Sequence, residues 1–171
     1  RKQCDAILDT VYRATKAIDP TRPVIDTSGS FHVVTDIYDV HDYEQDPNKF
    51  KEYYSKISEG IVNDETERNP IYRGRQKYDG VLPFFISEYG GIKWSSDSEN
   101  SWGYGNAPQT EDEFIQRYKG LTEVILNHED IMGFCYTQLY DVEQEQNGLM
   151  TYDRKFKFDP EIFKKINTKK Y

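Results

Sequence analysis

Apolar residues recur at helical spacing over residues 5–18, "DAILDTVYRATKAI", where Ile7, Leu8, Val11, Tyr12 and Ile18 share one face and predict a helix. Asp19-Pro20 and Arg22-Pro23 end it and force the chain into an extended path toward Val24. "PVIDTSG" predicts a short strand closed by a glycine turn, and "VVTDIYDVHDY" a second strand built on Ile37, Tyr38 and Val40. Residues 44–80 are polar, with one helix around "PNKFKEYYSKIS", and are expected to form mostly an inserted surface segment. "VLPFFISEYGG" predicts a third strand, and residues 92–109 a Ser/Gly/Asn-rich loop carrying Trp94 and Trp102. Thr110 with Glu113 three residues later is a capping box for a helix through "FIQRYKGLTEVIL". "IMGFCYTQLYD" predicts a fourth strand, followed by the loop "VEQEQNGLMTYDRK" and a last helix at "DPEIFKKINT".

Strands alternating with crossovers point to parallel βα units and an α/β fold. Each predicted strand ends in polar residues: Asp26, then His41-Asp42-Tyr43, then Glu88, then Gln138 with Asp141. In a parallel βα sheet those ends share one edge, which is where such folds build their sites. Glu88 closes the most hydrophobic run of the chain, just before the glycine pair Gly90-Gly91. A carboxylate there is either a structural acceptor or a piece of chemistry. His41, taken alone, is read as a packed histidine. Trp94 and Trp102 are read as stacking platforms or as rings folded back onto the rim.

Composition narrows the field. The 171 residues are 36% hydrophobic and 30% charged, which suits one globular domain. Mean hydropathy is -0.86, and no apolar run approaches the roughly 20 residues a spanning helix needs, so no membrane role is expected. A net charge of -8 argues against nucleic acid, whose phosphates would be repelled. Fourteen tyrosines exceed what a minimal core requires and fit a sugar partner, because the ring stacks while the hydroxyl hydrogen-bonds. Cys4 and Cys135 read as free thiols, and Cys and His show no metal-ligand spacing. No glycine-rich phosphate loop is present, which argues against an unrelated doubly wound α/β protein with a phosphate site; neither metal nor cofactor is expected. The chain opens in mid-helix and reads like a cut piece.

Four segments in order resemble family 2 glycoside hydrolases, the group of β-galactosidases and β-glucuronidases. "ATKAIDPTRPV" looks like that family's helix four leading into strand five, and "DIYDVHDYE" like strand six. "PFFISEYGG" looks like the strand-seven motif, and "GFCYTQLYDVEQEQNGLMTYDR" like strand eight and its loop. The match covers the chain except for insertions near 44–80 and 92–109. The resemblance implies a (β/α)8 TIM-barrel fold of which only the second half, strands five to eight, is present.

It further implies a retaining β-glycosidase that hydrolyses β-linked sugars. Glu88 falls on the nucleophile of the strand-seven motif, and Tyr43 on a tyrosine beside it. A slip of one or two residues would put His41 or Asp42 in the place of Tyr43. His41, Asp42, Tyr89, Trp102, Gln138 and Asp141 fall among the expected substrate contacts, while Tyr136 is expected to pack. Glu143 and Glu145 look like an exposed acidic pair. The family's acid/base, an Asn-Glu pair at the end of strand four, has no counterpart here, since residues 1–10 offer only Asp5 and Asp9. Half a barrel leaves strand edges open, so self-association or completion by the N-terminal half is expected. The alternative is a fragment that binds carbohydrate, or assembles, without turnover.

Overall fold

The computed structural model describes residues 3–60, 76–95 and 100–169. Three strands, β1 (Tyr38–Asp42), β2 (Phe84–Gly90) and β3 (Ile131–Thr137), form one parallel sheet in the order β1-β2-β3. Helices α1 (Asp5–Ile18), α2 (Pro47–Tyr54), α3 (Glu111–Leu126) and α4 (Pro160–Asn167) complete the described elements, with one 3-10 turn at Ile57–Glu59. Beyond α1, each helix start is set by its own sequence. Asp46 caps α2 by accepting from Asn48 N, Thr110 caps α3 by accepting from Glu113 N, and Asp159 caps α4 by accepting from Glu161 N. Proline occupies the first turn of α2 and α4, where its missing N–H is not needed.

The core is built around the middle strand. Phe84, Ile86 and Tyr89 of β2 are all 0% exposed and meet Phe50 and Tyr54 of α2 and Phe114, Tyr118, Leu121 and Ile125 of α3. Each of these large side chains contributes about 1.5–3 kcal/mol by leaving water. Phe163 and Ile166 of α4 close the far end.

Between Ile86 and Tyr89 the register slips on both sides of β2. Val40 pairs Ile86 while His41 pairs Glu88, and Ile86 pairs Phe134 while Tyr89 pairs Tyr136. The middle strand therefore carries one extra residue at Ser87-Glu88. Such bulges bend a strand and re-aim a side chain at its end.

Two expectations are corrected. Four strands are predicted and the described residues hold three: a mixed α/β unit with a three-stranded parallel sheet. Residues 23–29 do not form a strand, because the Asp26 carboxylate takes the N–H groups of Val33 and Val34, and Val24 O receives Asp36 N. Side chain and loop compete with a ladder here and win. The second correction concerns the segment 44–80. Phe50, Tyr54 and Ile57 recur every three to four residues and are buried, with Tyr54 edge-on to Phe84 at 5.8 Å. Tyr78 is buried as well, so this stripe and Tyr78 reach the core while Asn48, Lys49, Lys51, Glu52, Ser55, Lys56, Ser58 and Glu59 stay exposed; residues 61–75 lie outside the described ones.

Helix α1 stands apart. None of its residues is buried, and Ile7, Val11 and Ile18 of the predicted apolar face are 60%, 58% and 87% exposed. It is held by polar contacts, with Tyr12 Oη donating to Asp36 at 2.6 Å and Lys16 Nζ to the same carboxylate at 3.0 Å. No described helix is long and apolar enough to cross a membrane.

Candidate active site

The bulge in β2 brings Glu88 to the C-terminal edge of the sheet, beside the end of β1. Tyr43, one residue past β1, donates its phenol hydrogen to Glu88 Oε2. His41 Nδ1 lies 3.3 Å from that same oxygen. Glu88 Oε1 has no hydrogen-bond partner among the described residues, and the side chain is 37% exposed. One carboxylate oxygen thus faces both Tyr43 and His41, and the other has no partner among the described residues. An ionised carboxylate so arranged can accept a proton or attack an electrophile through Oε1.

The holders are themselves held. The Tyr43 ring stacks on Tyr104 with centroids 3.6 Å apart and planes within 6°. Burial, and then the neighbouring Glu88 carboxylate, push the Tyr43 phenol well above its ordinary range, so it remains a donor. Gly91 lets the two rings approach. Its φ is +59°, and a Cβ there would meet Tyr104 at 2.5 Å and Tyr43 at 3.1 Å. Tyr43 and Tyr104 also wall an open cleft of about 500 Å³ completed by Gln45, Asn106 and Arg117. Trp102, 47% exposed, sits edge-on to Tyr104 at 5.9 Å and extends the aromatic wall. Ser28 Oγ is 2.9 Å from His41 Nε2.

The remaining residues singled out from the sequence are placed elsewhere. Tyr89 adjoins Glu88 in the chain but lies in the core, where its hydroxyl meets Thr122 Oγ1 at 2.8 Å. Asp42 is buried and accepts from Tyr54 Oη at 2.8 Å and from Glu44 N at 3.0 Å. Asp141 is buried in an ion pair with Lys157 at 2.7 Å and accepts from Gly148 N, which ties down the loop after β3. Gln138 donates to Glu145 O at 3.4 Å within that loop. Trp94 packs on Phe114 and Phe158. Tyr136 packs edge-on against Tyr89, and its hydroxyl accepts from Ile92 N. Among the described residues no group of three His, Cys, Asp or Glu side chains is arranged to hold a metal ion, and both cysteines are free.

Tyr104 and Ser28 are the contributors that sequence reasoning misses. Tyr104 lies in "WGYGN", and its aromatic spacing from Trp102 is the only signal it carries. Ser28 has no signal beyond its loop.

No protein-family model matches the chain, and no curated protein matches it in sequence. Solved structures do match it. A GH2 β-galacturonidase from Eisenbergiella tayi bound to glycerol superposes with a TM-score of 0.63 at 16% identity, over 95% of this chain and 30% of that one. A β-glucuronidase from Lactobacillus rhamnosus gives 0.63 at 15%, over 95% of this chain and 29% of its own. Bacteroides uniformis β-glucuronidase 2, covalently bound to cyclophellitol-6-carboxylate aziridine, gives 0.59 at 17%, over 89% and 18%. At this identity the likeness is one of fold. The chain spans less than a third of the length of each of these relatives.

Proposed function

We propose that this chain is part of the catalytic (β/α)8 domain of a retaining β-glycosidase related to family 2, with Glu88 as its nucleophile. The observation that carries the reading is the asymmetric holding of Glu88: Tyr43 and His41 both face Oε2, and Oε1 is left for attack. The end of a strand is a rigid mount for such a group. In the first step Oε1 forms a bond to the anomeric carbon while the glycosidic C–O bond breaks. A protonated carboxyl about 5–5.5 Å from the nucleophile gives its proton to the leaving oxygen. In the second step the same carboxylate takes a proton from water, whose oxygen displaces Glu88 from the sugar. That acid/base group is supplied from outside this chain, by the first half of the barrel.

The aromatic wall of Tyr43, Tyr104 and Trp102 supports a sugar ligand, since aromatic faces with polar tips pack against sugar rings. The names of the structural relatives place β-glucuronides and β-galacturonides first among substrates to try. The test is hydrolysis of nitrophenyl β-glycosides by the full-length protein, with Glu88→Gln alongside. Nitrophenolate leaves with little help from a general acid, so loss of turnover in the variant reports on the nucleophile. Turnover equal to wild type in Glu88→Gln would put the nucleophile elsewhere, and sugar binding with no turnover by the wild type would instead favour a fragment that binds carbohydrate without chemistry.

A further inference from the structure

We propose that Ser28 and Gly29 are positioning residues that set the His41 ring for Glu88; this rests on the reading of Glu88 as nucleophile. Ser28 Oγ lies 2.9 Å from His41 Nε2, and Nδ1 faces Glu88 Oε2 at 3.3 Å; with the hydroxyl donating to Nε2, the ring proton would sit on Nδ1, toward the carboxylate. The neutral ring has one donor and one acceptor, so the partner of Nε2 decides what Nδ1 offers the carboxylate. Gly29 supplies the shelf. Its φ is +58°, and a Cβ built there would fall 2.0 Å from His41 Cγ and 2.4 Å from Nδ1, so only a glycine backbone can lie against the ring.

The shelf is anchored to the same strand pair as the nucleophile. Gly29 N–H donates to Asp39 Oδ2 at 3.0 Å, and Ser87 Oγ–H, from the bulge residue preceding Glu88, donates to the same oxygen. Asp39 is itself buried beside His32, whose Nε2 is 2.9 Å from the Asp39 carbonyl oxygen. One buried carboxylate therefore fixes both the loop that orients His41 and the bulge that carries Glu88. Serine, histidine and carboxylate in this order also serve acyl transfer. Here the Gly29 N–H, a donor an oxyanion would need, is committed to Asp39, so the arrangement assigns Ser28 to orientation rather than attack.

The test compares wild type, Ser28→Ala and Ser28→Thr in the full-length protein. Ring-15N NMR, with the His41 signals identified by their loss in His41→Gln, reads the tautomer without reference to activity. The expected result is a ring protonated on Nδ1 in wild type, mixed tautomers in Ser28→Ala and recovery in Ser28→Thr. Over the same series kcat should fall about five- to tenfold in Ser28→Ala with KM nearly unchanged, the size of one hydrogen bond. An unchanged tautomer and unchanged kcat in Ser28→Ala, while Glu88→Gln is inactive, would overturn the proposal. So would nitrophenyl acetate hydrolysis that disappears with Ser28. An active Glu88→Gln would sink the nucleophile instead, and the tautomer would still decide the role of Ser28.

Discussion

Tyr43 and Glu88 sit 45 residues apart in the chain and meet at the joined ends of β1 and β2, phenol hydrogen on carboxylate Oε2. The bulge at Ser87-Glu88 shifts the register by one, so that His41 rather than Asp42 pairs Glu88 in the sheet. Tyr43 then reaches the carboxylate from just beyond the strand.

Removing that hydroxyl should be costly for chemistry and mild for folding. Tyr43→Phe keeps the stack on Tyr104 and deletes a charge-assisted hydrogen bond, which is worth about 1.5–3 kcal/mol. We expect kcat to fall roughly 10- to 100-fold, with a thermal midpoint close to wild type. Steady-state kinetics beside a melting curve checks this, and an unchanged kcat would remove Tyr43 from the machinery.

Gly91→Ala should act on the same wall from behind. The substitution places a Cβ at φ +59° and 2.5 Å from Tyr104. The left-handed backbone alone costs about 1–2 kcal/mol, and the rings must part as well. The expected outcome is a lower melting temperature together with weaker sugar binding, seen by calorimetry and ligand titration.

The buried pair of carboxylates around His32 gives a pH signature in stability. Burial works against the charged imidazole, yet hydrogen bonds to Asp26 and Asp39 outweigh it and push the His32 pKa up to about 9. The folded value lies above the unfolded value near 6.5, so this contribution is complete below about pH 6.5 and is lost as pH rises through about 9. Burial also opposes the charged Asp26 and Asp39, but bonds to His32, to Ser87 and to backbone N–H groups hold both below 3.8. Their contribution is present above 3.8 and fades as pH falls below it. Denaturant unfolding from pH 3 to pH 10 should therefore show a plateau at roughly pH 4–6.5, and His32→Gln should flatten the alkaline decline.

The order β1-β2-β3 leaves β1 and β3 each with an open edge among the described residues. β3 exposes Met132, and α1 exposes Ile7 and Val11. Open edges next to apolar side chains invite pairing with another chain. Prepared by itself, the 171-residue chain is expected to self-associate in sedimentation velocity; a well-folded monomer of 20.2 kDa would contradict this.

Much of the fold is readable from residue order, and the failures have physical causes. The capping box at Thr110 and Glu113, the prolines at Pro47 and Pro160, and the apolar runs before His41, Glu88 and Gln138 place most elements correctly, because each depends on local chemistry. Val24 and Ile25 look like a strand, but the Asp26 side chain spends itself on the N–H groups of Val33 and Val34, a choice no periodicity reveals. Lys and Glu between Phe50, Tyr54 and Ile57 hide a buried stripe behind a polar average. Glu88 is legible as a strand end. The bulge that aims it, and the Tyr104 ring that backs Tyr43, depend on tertiary contacts and are not.

If Glu88 Oε1 attacks a sugar as proposed, it leaves a covalent mark that can be trapped. The decisive experiment is peptide mapping after the full-length protein is treated with cyclophellitol-type aziridines, the reagent class covalently bound in one of the structural relatives. We expect a single adduct on the peptide containing Glu88, absent in Glu88→Gln and formed more slowly in Tyr43→Phe. An adduct on a different carboxylate, with Glu88 unmodified, would refute the assignment of Glu88 as nucleophile.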